Sequence, residues 1–171
     1  MSGSLNISIR QEEARDVADI RELVDVAFKP MWFSDGTEAE LVDRLRSAGD
    51  LYLSLVAVTG TNQIIGHVGF SPTTIDGLDY GWLQMAPVSV LPDYQLKGVG
   101  SALIQAGISA LITRGVAGVA VVGNPVYYER FGFRNIPGLE PLIPSDAPYF
   151  RAQSLFGPEL QGRLRYAPAF D

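Results

Sequence analysis

No cysteine occurs in these 171 residues, and there is a single histidine, His67. The first absence excludes a disulfide framework, a thiolate nucleophile and a cysteine-type zinc site. The second leaves a transition-metal centre without its commonest ligand, so no metal is expected. Long apolar runs are missing as well: the longest, about Val116 to Val122, is far too short to span a bilayer. Met1-Ser2-Gly3-Ser4 has neither the charged nor the apolar region of a secretory leader. Positive charge is scarce, with 13 Lys plus Arg against 19 Asp plus Glu. A net charge of -6 argues against nucleic acid, which binds basic faces. The expectation is a cytoplasmic protein with no nucleic-acid partner and no membrane partner.

What is present is a globular composition, 47% apolar and 19% charged. The length suits one domain over residues 1–171, large enough for a real core. Leu5 to Arg10 alternates as a half-buried strand, and Val17, Ile20, Leu23, Val24, Ala27 and Phe28 recur at helical spacing up to Pro30. Thr37-x-x-Glu40 reads as a capping box opening a second helix, which Gly49 ends. Leu51 to Val58, Ile64 to Phe70 (running on toward Ile75) and Tyr80 to Val90 read as an antiparallel meander. A helix from about Val99 to Arg114 follows, then the unbroken apolar run of a strand covered on both faces. Asn124 to Phe131 is expected as a short helix, and Phe133 as the start of another strand. In the proline-punctuated segment 137–171, Tyr149 to Leu155 is expected as a strand and Arg163 to Tyr166 as its partner.

The chemistry concentrates at Val88-Ser89-Val90-Leu91-Pro92 and Gln95-Leu96-Lys97-Gly98-Val99-Gly100-Ser101. A strand ends there and glycines open a helix. The first amides of a helix lack partners and carry its positive dipole end. Glycines let an oxygen-rich anion reach them, and Lys97 adds a formal charge. A Walker loop is excluded because Ser101-Ala102-Leu103, with no lysine, follows Gly100. A dinucleotide fingerprint is excluded because Leu103 replaces its third glycine and no acid lies between Leu111 and Asn124. The remaining pattern, V-x-V-L-P then Q-x-x-G-x-G, resembles the acyl-CoA loop of the GCN5-related N-acetyltransferase (GNAT) superfamily. Downstream, Tyr128-Glu129-Arg130-Phe131-Gly132-Phe133 is similar to that family's Y-x-x-x-G-F element. The resemblance covers residues 5 to about 136, with 137–171 a variable extension.

The resemblance implies a mixed α/β fold: an antiparallel meander, then a strand-helix-strand unit with splayed parallel central strands and helices on both faces. It implies that amides of Gln95 to Ser101 hold the diphosphate of acetyl-CoA. It also implies that backbone of Val88, Ser89 and Val90 pairs with the pantetheine arm. Tyr128 takes the general-acid position, suited because a phenol stays protonated at neutral pH and can give a proton to the departing sulfur. Asn124 takes the place of a cofactor-binding asparagine, though it precedes Tyr128 by four residues where many members have seven. The implied activity is N-acyl transfer, acetyl to a primary amine by direct attack in a ternary complex. The acceptor is a small molecule or a peptide, and the protein a monomer or homodimer. The rival is a non-catalytic acyl-CoA-binding sensor or structural protein, because residues 80 to 90 hold no acid to serve as the base. Candidates for that base are Asp35, Glu38, Asp79, or a water on Ser89 or Gln84. His67, on a strand, is either a hydrogen-bonded structural residue or a proton relay. Trp32 and Phe33 are acceptor-site or core aromatics, and Arg130 and Arg134 phosphate partners or surface charges.

Overall fold

The computed structural model describes residues 6–171, so the expected start of the first strand at Leu5 lies outside the described residues. The elements run in the order β1 (Ile7–Gln11), α1 (Val17–Phe28), α2 (Glu38–Ser47), β2 (Leu53–Thr59), β3 (Ile64–Pro72), β4 (Thr74–Ile75), β5 (Trp82–Val90), α3 (Val99–Thr113), β6 (Gly118–Val122), α4 (Pro125–Glu129), β7 (Leu139–Pro141), β8 (Phe150–Ser154) and β9 (Gly162–Arg165). Two compact units share the chain: residues up to Gly69 with Pro87–Gly107, and Phe70–Ala86 with Ile108–Asp171. Among the described residues no helix is long and apolar enough to cross a membrane.

In the first unit the strand order is β1-β2-β3-β5. β1 pairs antiparallel with β2, Ile7 opposite Thr59 and Gln11 opposite Leu55. The β2–β3 hairpin closes where the Thr59 amide donates to the Gln63 carbonyl at 2.9 Å, with Asn62 left-handed at φ 68°. Ile20, Leu23 and Val24 of α1 and Ala39 and Val42 of α2 bury themselves with Val56, Val58 and Ile64. Full burial of such a side chain contributes about 1.5–3 kcal/mol, so this cluster holds both helices to the strands. The capping box expected at Thr37 does not form: Thr37 is the N-cap but its side chain caps nothing. Its hydroxyl donates instead to Asp35 Oδ1 at 2.5 Å, a local turn that competes successfully with the helix amide.

In the second unit β5, β6 and β8 stand side by side, and a separate three-stranded sheet has the order β4-β9-β7. β5 and β6 are parallel, with Trp82, Leu83 and Gln84 opposite Gly118, Val119 and Ala120. The ladder stops there although β6 continues to Val122, so the parallel pair opens after three residues. β8 runs antiparallel along the whole of β6. Val119, Ala120 and Val121 are all buried, so both faces of β6 are covered. Trp82 sets the spacing, since a Cβ on Gly118 would stand 2.3 Å from its indole.

Three expectations fail in this unit, two through contacts made far along the chain and one through local backbone. The strand running on from Phe70 toward Ile75 breaks, and Thr74 and Ile75 pair with Arg165 and Leu164 of β9. Asp76 (φ 50°) and Gly77 (φ 82°) turn the chain, and Asp76 Oδ1 accepts the Arg163 amide at 2.9 Å. No strand starts at Phe133, where Arg134 and Ala152 make a single bridge. Left-handed Gly132 bends the chain before it, and Pro137, with no N–H to donate, lies three residues past the bridge. Arg163 to Tyr166 does not pair with the Tyr149–Leu155 strand: β9 sits between β4 and β7, and one edge of β8 is filled by β6.

Candidate functional site

The glycine loop belongs to the first unit. After Val90 a 3-10 turn over Pro92–Tyr94 carries the chain into residues 95–98. Two of those four are left-handed: Leu96 at φ 61° and Gly98 at φ 85°. A leucine held there costs about 1–2 kcal/mol, and Leu96 is fully exposed, so no packing repays it. Strain of this kind gathers at ligand-binding loops. Where a Cβ on Gly98 would stand, nothing lies within 4 Å. The first bond of α3 runs from the Ala102 amide to the Gly98 carbonyl, 3.0 Å. The amides of Val99, Gly100 and Ser101 therefore precede it, as the unpaired donors of a helix start do.

The side chains around the loop brace it. Gln95 Nε2 donates to the Val90 carbonyl at 3.1 Å, tying the loop to the end of β5. The Lys97 ammonium lies 5.8 Å from the centre of the Tyr94 ring. Ser89 is buried and its hydroxyl has no hydrogen-bond partner in the protein, while Val88 and Val90 are half-buried. Val88, Ser89, Val90 and Gln95 through Ser101 are thus brought together in one unit.

Asn124 and Tyr128 belong to the other unit. Asn124 is the N-cap of α4: its Oδ1 accepts the Val126 amide at 3.1 Å and its carbonyl accepts the Tyr128 amide at 3.2 Å. Pro125 at the next position suits a helix start. The Tyr128 ring packs edge-on against Tyr127 (centroids 5.1 Å apart) and Phe133 (6.0 Å). It also covers Gly123, where a Cβ would stand 2.6 Å from its Cε2. That glycine is the feature sequence reasoning passed over, and its signal was the Gly-Asn-Pro preceding the tyrosine pair. Burial, with a lesser contribution from Tyr127, pushes the Tyr128 hydroxyl up to about 12. It is a neutral donor at any physiological pH.

The remaining candidates sort themselves. Asp35 is exposed, and hydrogen bonds from Thr37 hold its carboxyl below the usual carboxylate range. Asp79 is exposed and accepts the Gly81 amide at 2.8 Å. Glu38, at the start of α2, is half-exposed. Gln84 is buried in the second unit with its Oε1 unpartnered. Trp32 and Phe33 stack edge-on yet stand 92% and 61% exposed, so they are not core. Arg134 is paired with Glu159, and Arg130 lies 4.8 Å from the centre of the Tyr127 ring. His67 is completely buried and bonded to Ser54 Oγ, 2.8 Å from Nε2. Among the described residues no three His, Asp or Glu side chains gather as a metal site would need.

Comparison with known proteins gives a consistent picture. A family model described as an acetyltransferase (GNAT) domain matches residues 50–135. The uncharacterized N-acetyltransferase YhbS of Escherichia coli K12 is 42% identical over 101 residues, 59% of this chain and 60% of its own length. The alignment thus spans less than two thirds of that relative. A GNAT family acetyltransferase from Brucella melitensis, solved in complex with acetyl-CoA, superposes with a TM-score of 0.86 at 40% identity. That match covers 97% of this chain and 99% of the other. The structure of Escherichia coli YhbS in complex with CoA gives a TM-score of 0.88 at 32% identity, covering 99% and 94%.

Proposed function

The chain belongs to the GNAT acetyltransferases, and on that premise we propose that it transfers an acyl group, acetyl from acetyl-CoA, to a primary amine. The observation that carries the reading is the glycine loop. Its left-handed Gly98 leaves open space in front of amides that enter α3. That arrangement fits a diphosphate: several donors converge, the helix dipole adds to them, and no side chain blocks the approach. Gln95 through Ser101 hold that group, and the Val88–Val90 backbone pairs with the pantetheine arm.

The reaction is a direct displacement. The amine nitrogen attacks the thioester carbonyl, the C–N bond forms, and the C–S bond breaks. The departing sulfur takes a proton from the Tyr128 hydroxyl, which burial keeps protonated. With no cysteine in the chain, acyl passes straight to the amine, which is a small molecule or a peptide. Asn124 shapes the helix that carries Tyr128, and its side-chain NH2 remains available to the cofactor.

Two measurements test this. Calorimetry with CoA should show binding, and thiol release from acetyl-CoA should rise with at least one of a panel of small and peptidic amines. Tyr128→Phe should lower turnover by about ten- to a hundredfold with CoA affinity unchanged. Binding without turnover on any amine would leave acyl-CoA binding alone, and no binding at all would end the reading.

A further inference from the structure

The proposed transfer needs a group to take the proton that the amine sheds, and none of the exposed acids is built for it. A different candidate lies in the unit that carries the glycine loop. Glu12, Ser54 and His67 form one hydrogen-bonded row from the end of β1 across β2 to β3. The Glu12 amide donates to the Ser54 carbonyl at 2.9 Å, so the two residues face each other. Arg46, in the last turn of α2, clasps the Glu12 carboxylate with two bonds, Nε to Oε2 at 3.1 Å and Nη2 to Oε1 at 3.0 Å. The charged groups on this row are thus Glu12 and Arg46, with Asp43 behind, accepting from Arg46 Nη1 at 3.3 Å.

Donor counting fixes the tautomer. A carboxylate clasped by a guanidinium only accepts. The Ser54 hydroxyl therefore spends its one proton on Glu12. Its oxygen can then only accept from His67, across the 2.8 Å contact to Nε2. The histidine proton sits on Nε2, and Nδ1 is a bare lone pair. Nδ1 is buried and has no partner in the protein, a state that costs about 1–3 kcal/mol. Every other polar atom in the row is satisfied.

The position of the row matters. The Leu91 amide donates to the Ile65 carbonyl at 2.9 Å, so β3 lies directly beside the end of β5. A Cβ on Gly66, next to His67, would stand 3.3 Å from the Ser89 carbonyl. His67 is therefore on the strand adjoining Val88-Ser89-Val90, the segment assigned to the pantetheine arm.

Resting on the acyl-transfer reading, we propose that His67 Nδ1 is the proton acceptor for the attacking amine, with Ser54 and Glu12 as positioning residues behind it. As the C–N bond forms and the C–S bond breaks, the amine N–H breaks and its proton bonds to Nδ1. The imidazolium keeps its Nε2–H bond to Ser54, whose hydroxyl still donates to Glu12, so the carboxylate stabilises the charge through the serine. The sulfur takes its proton from Tyr128. After product leaves, water that replaces it takes the proton from Nδ1 and returns one to Tyr128. Burial, the largest cause, lowers the histidine to about 4, so the lone pair is free at neutral pH.

His67 is the chain's single histidine, so nitrogen-15 NMR reads its tautomer without assignment. The wild-type ring should be neutral and protonated on Nε2 near neutral pH. Glu12→Gln keeps the shape but brings an NH2 donor. Ser54 then accepts from it, donates to Nε2, and drives the proton to Nδ1. Glu12→Gln and His67→Gln should each slow turnover about ten- to a hundredfold near neutral pH, with the deficit shrinking in alkaline buffer as hydroxide substitutes for the lost base. CoA affinity by calorimetry should stay within about twofold, since neither change touches the loop amides. Turnover is read with whichever amine of the panel is accepted, and acceptance of none overturns the acyl-transfer reading and this role with it. A wild-type ring carrying its proton on Nδ1, or charged near neutral pH, overturns the proposal even if neither variant folds. CoA binding with unchanged pH profiles in both variants overturns the histidine's role alone. A wild-type chain that binds no CoA overturns the acyl-transfer reading and this role with it.

Discussion

Gly98→Ala separates the glycine loop's conformational need from its binding role. Gly98 sits at φ 85°, and nothing lies within 4 Å of the point a Cβ would occupy, so alanine meets strain but no clash. The left-handed conformation costs an L-residue about 1–2 kcal/mol. The stiffer unfolded chain returns about 0.4–1 kcal/mol of that. The net loss is about 1 kcal/mol, or about 2–4 °C in Tm for a chain of this size. Gly49, at φ 77° and equally open, is the control, because alanine there carries the same strain away from the loop. The two variants should melt together. On the proposed reading, only Gly98→Ala places a methyl in the diphosphate's path. Losing one charge-assisted hydrogen bond there costs about 1.5–3 kcal/mol, or about ten- to a hundredfold in CoA affinity by calorimetry. Pantetheine, which lacks the diphosphate, should bind both variants alike. If Gly98→Ala holds CoA as tightly as Gly49→Ala does, the amides are not the diphosphate site.

Other perturbations test the tyrosine and the buried histidine. Gly123→Ala drives a Cβ to within 2.6 Å of the Tyr128 ring. It should cost about 1–3 kcal/mol of stability by overpacking and lower turnover through Tyr128 without touching CoA affinity; unchanged kinetics would detach Tyr128 from the chemistry. Tyr128 itself, held near 12, should produce no alkaline loss of turnover below about pH 10. An alkaline limb lost in Tyr128→Phe would contradict that value. His67 is lowered to about 4 from 6.5. Its unfolded form takes up a proton first as pH falls, so its share of stability is present above 6.5 and lost toward 4. Linkage sets that loss at about 3 kcal/mol. Urea unfolding of wild type and His67→Gln across that window should show the wild type losing more, and parallel curves would refute it.

Much of the layout is written locally in the chain. The order of strands and helices through Val122, the glycine loop and the tyrosine after the apolar strand are local features. Helical spacing marks α1, the apolar run marks β6, and the glycine that permits φ 85° is named by its own position. A backbone conformation that only glycine adopts cheaply is legible without knowing any neighbour. The second sheet was not legible in this way. β9 pairs with β4, some ninety residues earlier in the chain, and Asp76 accepts from the Arg163 amide across a separation of 87. The capping box at Thr37 failed for a nearer reason, an aspartate two residues away that binds the same hydroxyl.

The histidine row is the furthest from the sequence's reach. Glu12 and Ser54 lie 42 positions apart, and Ser54 and His67 lie 13 apart. Spacing offers no sign that a serine would stand between a carboxylate and an imidazole. The chain alone determined which residues could bind an anion and which could give a proton, because those capacities belong to single side chains and single backbone angles. Tertiary structure decided which lone pair was left bare, because that depends on how distant donors and acceptors exhaust one another when strands pair.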